Sequence, residues 1–162
     1  MSEIKLIMSW KSQLKEALPL LGHRNWVLVV DKAYPLQSAQ GITTIYTNER
    51  LLYVLKYLLK RMRREQHVKP IVYNDKELLF MRDDLCEGID SFKSELTRLL
   101  SKSDVQVLPH DQIFSKLEEA SAHFNVLVLK SDCLMPYTSV FLELDCGYWP
   151  AYKEKSLRER IS

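Results

Sequence analysis

The chain alternates short apolar runs with longer segments in which apolar residues recur every three or four positions. The short runs lie at residues 26–30, 70–74, 105–108, 126–129 and 140–144. Each has four or five residues and is rich in β-branched or aromatic side chains, which is typical of buried strands and too short for helices. The pattern therefore predicts a strand at each run.

Segments with helical spacing lie between these strands. They cover residues 10–18, 48–64, 91–100 and 111–122. Pro19 has no backbone N–H, so the first helix is expected to end or kink near Leu18, and Asn48 is the expected N-cap of the second. Strands that alternate with helices of this length predict an α/β fold. We expect a single three-layer αβα domain over residues 1–150, with a mixed, partly parallel central sheet.

The composition agrees with one compact domain followed by a short tail. The 162 residues are 46% hydrophobic and 27% charged, which is enough to bury an ordinary core. The charged C-terminal tail, residues 151–162, follows the last predicted strand. Its composition is compatible with a solvated helix and with a disordered end, and both alternatives stay open.

The charge pattern gives no reason to expect a nucleic acid or a membrane as partner. The formal net charge is +2, and the basic cluster at residues 60–64 lies at the end of a predicted helix, where cations complement the helix dipole. No aromatic residues interleave with this cluster as they do in surfaces that stack bases. No apolar run approaches the roughly 20 residues that cross a bilayer.

Neither the cysteines nor any known sequence motif indicates a metal or cofactor site. Cys86, Cys133 and Cys146 show no Cys-x-x-Cys spacing, so neither a disulfide framework nor a thiolate metal site is indicated. Cysteines in odd number fit a reducing, cytoplasmic compartment. The glycine-rich and metal-ligand motifs of nucleotide and zinc enzymes are absent from the sequence. We therefore expect no metal and no cofactor.

Polar side chains lie beside the ends of three predicted strands. His23 and Asp31, eight residues apart, bracket the strand at residues 26–30. The others are His110, after residues 105–108, and the run Tyr137, Thr138 and Ser139, directly before residues 140–144. In α/β sheets, binding sites gather at the loops where strands end. Taken singly, each group also has a structural explanation as a turn residue, a helix cap or a partner for loop amides.

Two groups of residues carry a family resemblance. The first is Gly22-His23, an apolar strand, and then Asp31-Lys32-Ala33-Tyr34-Pro35. The second is His110-Asp111-Gln112, an apolar strand, Ser131-Asp132-Cys133, and Tyr137-Thr138-Ser139. In this order and spacing, over roughly residues 14–147, the chain resembles the D-ribose pyranase and L-fucose mutarotase family.

The resemblance implies a sugar mutarotase or pyranase, an isomerase that needs no cofactor and no metal. It makes His23 the catalytic proton-transfer residue. It makes Asp31, His110, Tyr137, Thr138 and Ser139 the substrate-binding residues for an unphosphorylated monosaccharide such as ribose or fucose. An imidazole suits ring opening because its pKa near 6.5 allows it to give and take a proton around neutral pH. The resemblance also implies a homo-oligomeric ring, with a decamer as one candidate assembly.

Two features leave other functions open. A straight strand of five residues separates His23 from Asp31 by well over 15 Å, so one substrate can meet both only through neighbouring loops, bends or a second subunit. Asn25 stands where the family usually has aspartate, and Ser139 where it usually has asparagine. A non-catalytic sugar-binding protein on the same fold, or an oligomeric scaffold without a sugar site, are the alternatives.

Overall fold

The structure, a computed structural model, describes residues 8–162, and within them it contains a six-stranded sheet and five α-helices. The strands are β1 (Trp26–Val30), β2 (Ile42–Tyr46), β3 (Val68–Asp75), β4 (Asp104–Leu108), β5 (Val126–Lys130) and β6 (Val140–Cys146). The helices are α1 (Trp10–Ala17), α2 (Leu51–Met62), α3 (Ile89–Leu99), α4 (His110–Ser121) and α5 (Ala151–Ile161). Short 3₁₀ helices occupy Leu18–Leu20 and Lys76–Phe80.

Strand β6 lies in the middle of the sheet and is antiparallel to the strands on either side of it. The strand order is β2-β5-β1-β6-β3-β4, and β6 is antiparallel to both of its neighbours, β1 and β3. The pairs β1·β5, β2·β5 and β3·β4 are parallel. The loop before β6 therefore meets the loops after β1, β3 and β4 at one end of the sheet, which we call the carboxyl end. The opposite end, where β1 begins and β6 ends, is the amino end.

Helices cover both faces of this sheet. On one face, α1, α2 and α3 pack against a core that includes Val27, Val29 and Leu142. On the other face, α4 places Ile113 and Leu117 against a second core built on alternate residues of the same strands. All five residues of β1 are buried, which explains its uninterrupted apolar sequence. The predicted three-layer α/β fold with a mixed, partly parallel sheet is confirmed.

Three local predictions need correction. The sequence pattern does not predict β2, because this edge strand buries only Ile45 and its residues lack a clear apolar alternation. Asn48 is not the N-cap of α2. That position belongs to Arg50, and Asn48 adopts a φ of 54°, a left-handed conformation that asparagine tolerates well. Strand β3 continues one residue beyond the predicted end, to Asp75.

The described chain begins with helix α1 and ends with helix α5. Helix α1 ends at Ala17 and gives way to the 3₁₀ helix that contains Pro19, as predicted. The tail forms α5, in which no residue is buried. Among residues 8–162, none of the helices combines the length and apolar character that a bilayer crossing requires.

Gly147, at the amino end of the sheet, lies close to the backbone of a neighbouring segment. A Cβ added at Gly147 would lie 2.4 Å from the backbone oxygen of Gln66, whereas one added at Gly22 would meet no atom within 4 Å. We expect Gly147→Ala to lower the free energy of unfolding by about 2 to 4 kcal/mol, because backbone atoms must move. Gly22→Ala, the matched control, should be neutral or stabilising by up to about 1 kcal/mol. Urea titration of both variants measures the difference, and equal effects would contradict the close approach.

Candidate functional site

Asp31 and Ser139 face each other at the carboxyl end because β1 and β6 are paired there. Val29 is opposite Val140 in the register, so the residues just beyond these strands remain adjacent. The Ser139 hydroxyl donates to Asp31 Oδ1 at 2.7 Å, and the Asp31 backbone N–H donates to the same hydroxyl oxygen at 3.1 Å. Ser139 is only 4% exposed. It therefore positions the Asp31 carboxylate and leaves Oδ2 for another partner.

A buried carboxylate and a partly exposed imidazole lie beside this pair. Asp75, the last residue of β3, is 1% exposed, and His110 is the first residue of α4. His110 Nδ1 lies 2.9 Å from Asp75 Oδ1. With the carboxylate as acceptor, Nδ1 carries the proton and Nε2 is the basic nitrogen. The Glu77 carboxylate accepts the His110 backbone N–H and so fixes the start of the helix.

Burial raises the pKa of the Asp75 carboxyl to about 6. The hydrogen bond and the charge of His110 act in the opposite direction, while the carboxylates of Glu77 and Asp31 raise the pKa further. A carboxyl group that titrates near 6 exchanges protons close to neutral pH. The carboxyl end thus holds an acid/base pair and a second, positioned carboxylate.

The loop before β6 closes this site from one side. Tyr137 has a φ of 60° and is 41% exposed, and its ring meets the His110 ring edge-on at 5.7 Å between centroids. Thr138 is fully buried, and its hydroxyl donates to the backbone oxygen of Met135 at 2.7 Å. Tyr137 therefore presents an aromatic surface beside the imidazole, whereas the Thr138 side chain holds the loop.

His23 lies at the amino end, away from the other sequence-predicted residues of its own chain. Its side chain is about half exposed, and Nδ1 lies 3.2 Å from Asp145 Oδ1 at the end of β6. The five residues of β1, which span about 16 Å, separate it from Asp31. The structure therefore brings Asp31, His110, Tyr137, Thr138 and Ser139 together and leaves His23 at the opposite end.

Asn25 has a structural role in the turn that presents His23. Its side-chain oxygen accepts the Gly22 N–H at 2.7 Å, and its amide nitrogen donates to the Asn125 backbone oxygen at 3.0 Å. Arg24, with a φ of 78°, completes the turn. This turn forms one wall of an open cavity of about 510 Å³, which is also lined by Trp26 and Glu143.

Asp75 is the functional candidate that the sequence analysis missed. Its signal was present, because it is a polar residue directly after an apolar strand, like Asp31. The predicted strand ended one residue too early, and nothing in the sequence shows that His110, 35 positions away, is its partner. Within residues 8–162, no group of three or more histidine, cysteine or acidic side chains has the geometry of a metal site.

Comparison with solved structures identifies the fold. Bacillus subtilis RbsD in complex with D-ribose superposes with a TM-score of 0.55 at 17% identity, covering 90% of this chain and 98% of that chain. FucU from Bifidobacterium longum gives a TM-score of 0.55 at 13% identity, covering 83% and 94%. This chain has the RbsD/FucU fold. No protein-family model and no curated protein sequence matches it.

The RbsD/FucU fold extends over nearly the whole of both neighbours, so the sheet and its two ends correspond as a unit. At these identities the likeness establishes the fold alone. What the carboxyl end of this chain can do follows from its own groups, which are two carboxylates, an imidazole and an exposed aromatic ring. Such a set can hydrogen-bond several hydroxyls and transfer a proton.

The raised pKa of Asp75 predicts a stability cost that depends on pH. Well below pH 3.8, the pKa of an unperturbed aspartate, the carboxyl is protonated in both states. As the pH rises through this value to above 6, the unfolded chain releases this proton first, so the folded state loses up to about 3 kcal/mol relative to a variant without the group. Asp75→Asn should therefore gain stability relative to the unsubstituted chain over this range.

Urea titrations at pH 4, 5, 6 and 7 measure this difference. Asp84→Asn, at an exposed position, is the control, and its difference should stay within about 0.5 kcal/mol. A flat profile for Asp75→Asn would show that the buried carboxyl does not titrate near 6.

Proposed function

We propose that this chain is a sugar mutarotase or pyranase, which interconverts anomers or ring forms of an unphosphorylated monosaccharide by acid/base ring opening. The observation that carries the proposal is the Asp75–His110 pair beside the positioned carboxylate of Asp31. The shared fold supports it, because one of the fold neighbours is in complex with D-ribose.

Ring opening requires a proton on the ring oxygen and the removal of one from the anomeric hydroxyl. Ring closure on the other face reverses both transfers, so no redox or metal chemistry is needed. His110 Nε2, with Nδ1 held by Asp75, suits one of these transfers because an imidazole nitrogen can both accept and return a proton. Asp31 Oδ2 is free to accept a sugar hydroxyl, and the Tyr137 ring offers a surface for the C–H face of the sugar.

His23 of a second copy supplies the other proton transfer in this proposal. Within one chain, β1 keeps His23 far from Asp31, so both can meet one sugar only across a subunit interface. The half-exposed imidazole beside a cavity of about 510 Å³ fits this arrangement, because the cavity has room for the Tyr137 side chain of a neighbouring copy. Thr138 and Ser139 position the loop and the carboxylate, and their backbone groups complete the binding site.

The surface of the carboxyl end also favours an oligomer. Leu36 is 80% exposed and Leu134 is 85% exposed, and both lie in loops around the site. In the proposed oligomer these two side chains lie in the contact with the next copy, where their apolar surface is removed from water. A head-to-tail contact, in which the carboxyl end of one copy meets the amino end of the next, uses two different surfaces and gives a ring where the rotation between copies closes.

A non-catalytic sugar-binding protein is the second candidate function. The position of His23 at the amino end favours it, since within a single chain the His23 imidazole cannot reach a sugar held at the carboxyl end, and the sugar would be bound without the proton transfer assigned to His23. A measurement of sugar exchange by NMR separates the two functions, because only the enzyme accelerates ring opening.

Exchange NMR with D-ribose and L-fucose tests the proposed activity. We expect the protein to accelerate anomer or ring-form exchange of at least one of them. His23→Ala should reduce the acceleration by about 100-fold or more, the contribution typical of a general acid/base. His123→Ala is the matched control, since this exposed histidine lines the same cavity, and it should change the rate less than about twofold.

Two results would contradict this proposal. Saturation-transfer binding of the sugar without faster exchange would identify a binding protein. Exchange that survives His23→Ala but is lost in His110→Ala would place the whole reaction at the carboxyl end of a single chain.

Mixing two inactive variants tests whether subunits share the site. His23→Ala and Asp31→Asn remove groups from opposite ends of β1, so each variant alone should be inactive. Oligomers that are dissociated and reassembled from equal amounts of both should recover about a quarter of the original activity, because that fraction of interfaces unites two intact ends. A mixture that stays inactive, with mixed oligomers verified by mass spectrometry, would contradict the shared site.

A further inference from the structure

Helix α5 lies on the surface of the molecule, and none of its 11 residues is buried. Within residues 8–162, its side-chain hydrogen bonds all have their partners in residues 149–162. Glu154 accepts from the Trp149 indole at 2.6 Å and from the Arg158 guanidinium at 2.7 Å. Isolated helices shorter than about 12 to 15 residues are only marginally stable in water. A partner that covers α5 would therefore stabilise it.

The C-terminal arm, which we define as residues 148–162, presents apolar and basic side chains together. Tyr152 is 71% exposed, and Leu157 and Ile161, one turn apart on the same helix face, are exposed as well. Of the basic side chains of α5, Arg158 is paired with Glu154. In the described part of the chain, the others form no ion pair: Lys153, Lys155 and Arg160. The arm thus suits a partner that is both apolar and acidic.

A surface of this kind lies at the carboxyl end of the molecule. The acidic segment, which we define as residues 79–90, follows β3 and ends in the first turn of α3. Phe80 is 72% exposed and Leu85 is 74% exposed. The basic side chain of the segment, Arg82, donates to the backbone oxygens of Leu79 and Met81. Four exposed carboxylates form no ion pair within residues 8–162: Asp83, Asp84, Glu87 and Asp90.

The two surfaces lie at opposite ends of one chain. The arm leaves the sheet at the amino end, directly after β6. The seven residues of β6, about 23 Å, separate that end from the carboxyl end, where the acidic segment lies. In a head-to-tail contact the amino end of one copy meets the carboxyl end of the next, so the arm of one copy and the acidic segment of the other belong to the same interface.

We propose that the C-terminal arm of one copy docks on the acidic segment of a second copy. The exposed apolar side chains of both segments form the middle of this contact, where they are removed from water, and the opposite charges surround them. The proposal rests on the head-to-tail oligomer of the proposed function, to which it adds the segments that hold neighbouring copies together. Complementary charges of this kind fix the register of a contact and speed its formation.

Charge reversal tests the proposal in the full chain, by sedimentation and without sugar. One variant carries Lys153→Glu and Lys155→Glu, and a second carries Asp84→Lys and Glu87→Lys. We expect each to weaken self-association by about tenfold, because attractions become repulsions at the same contact. A variant with all four changes should associate within about threefold of the unsubstituted protein, since each facing pair again has opposite signs. Failure of the four changes together to restore association would overturn the proposal.

Lys56→Glu combined with Lys60→Glu is the matched control. It changes the net charge by the same amount as the arm variant, at two exposed positions of α2, and should shift association less than about twofold. If this control weakens association as much as the arm variant does, the effect comes from net charge alone and the docking contact is refuted. A full chain that is monomeric at every concentration refutes it as well.

Carbodiimide cross-linking of the unsubstituted protein is a second test, since this reagent joins lysine side chains directly to carboxylates in contact with them. In a mixture of ¹⁴N and ¹⁵N copies, we expect peptides that join Lys153 or Lys155 of one isotope to the acidic segment of the other. Cross-links confined to single copies would overturn the proposal. Binding of the protein to phosphatidylglycerol vesicles through the arm, without such cross-links, would identify a membrane surface as the partner and likewise refute it.

The results for the arm and for the sugar reaction are distinguishable. Normal association of both reversal variants, with sugar exchange intact, would refute the arm contact alone. Mixed-isotope cross-links in a protein that does not accelerate sugar exchange would refute the proposed activity alone.

Discussion

The antiparallel insertion of β6 between β1 and β3 is the constraint on which the candidate site depends. Val140 is paired with Val29 on one side and with Asn74 on the other, so the residue before it is held between the ends of both neighbours. A parallel central strand would have carried Ser139 to the opposite end of the sheet. The backbone ladder, more than any side-chain contact, brings Ser139, Asp31 and Asp75 together.

The same arrangement explains why a buried carboxylate persists. Asp75 ends a strand that is covered on both faces, and its pKa of about 6 reflects burial that one hydrogen bond to His110 only partly offsets. An apolar residue in its place would give a more stable fold. Groups that cost stability in this way are frequent at functional sites, because the perturbed pKa is what the chemistry needs.

The sequence predicts those strands and helices whose apolar residues lie deep in the core. The uninterrupted apolar run of β1 and the helical spacing of α2 were read correctly because both elements lie deep in the core. The sequence does not predict β2, because its pairing with β5 buries only Ile45 and so requires no apolar pattern along the strand. The Asn48 prediction failed because a left-handed turn and an N-cap favour the same residue type.

The candidate site was only partly accessible. Asp31, His110 and Tyr137 were found through their order along the chain, which carries no distances. The interaction of Asp75 with His110 depends on a crossover from β3 to β4 that fixes their separation, and the opposite position of His23 follows from the length of β1. A five-residue strand at about 3.3 Å per residue is rigid on this scale, so no loop movement in one chain can close the gap without breaking the central ladder. Chemistry that needs both groups would therefore require the ends of two chains, which is the reason why the proposed function places the site between copies.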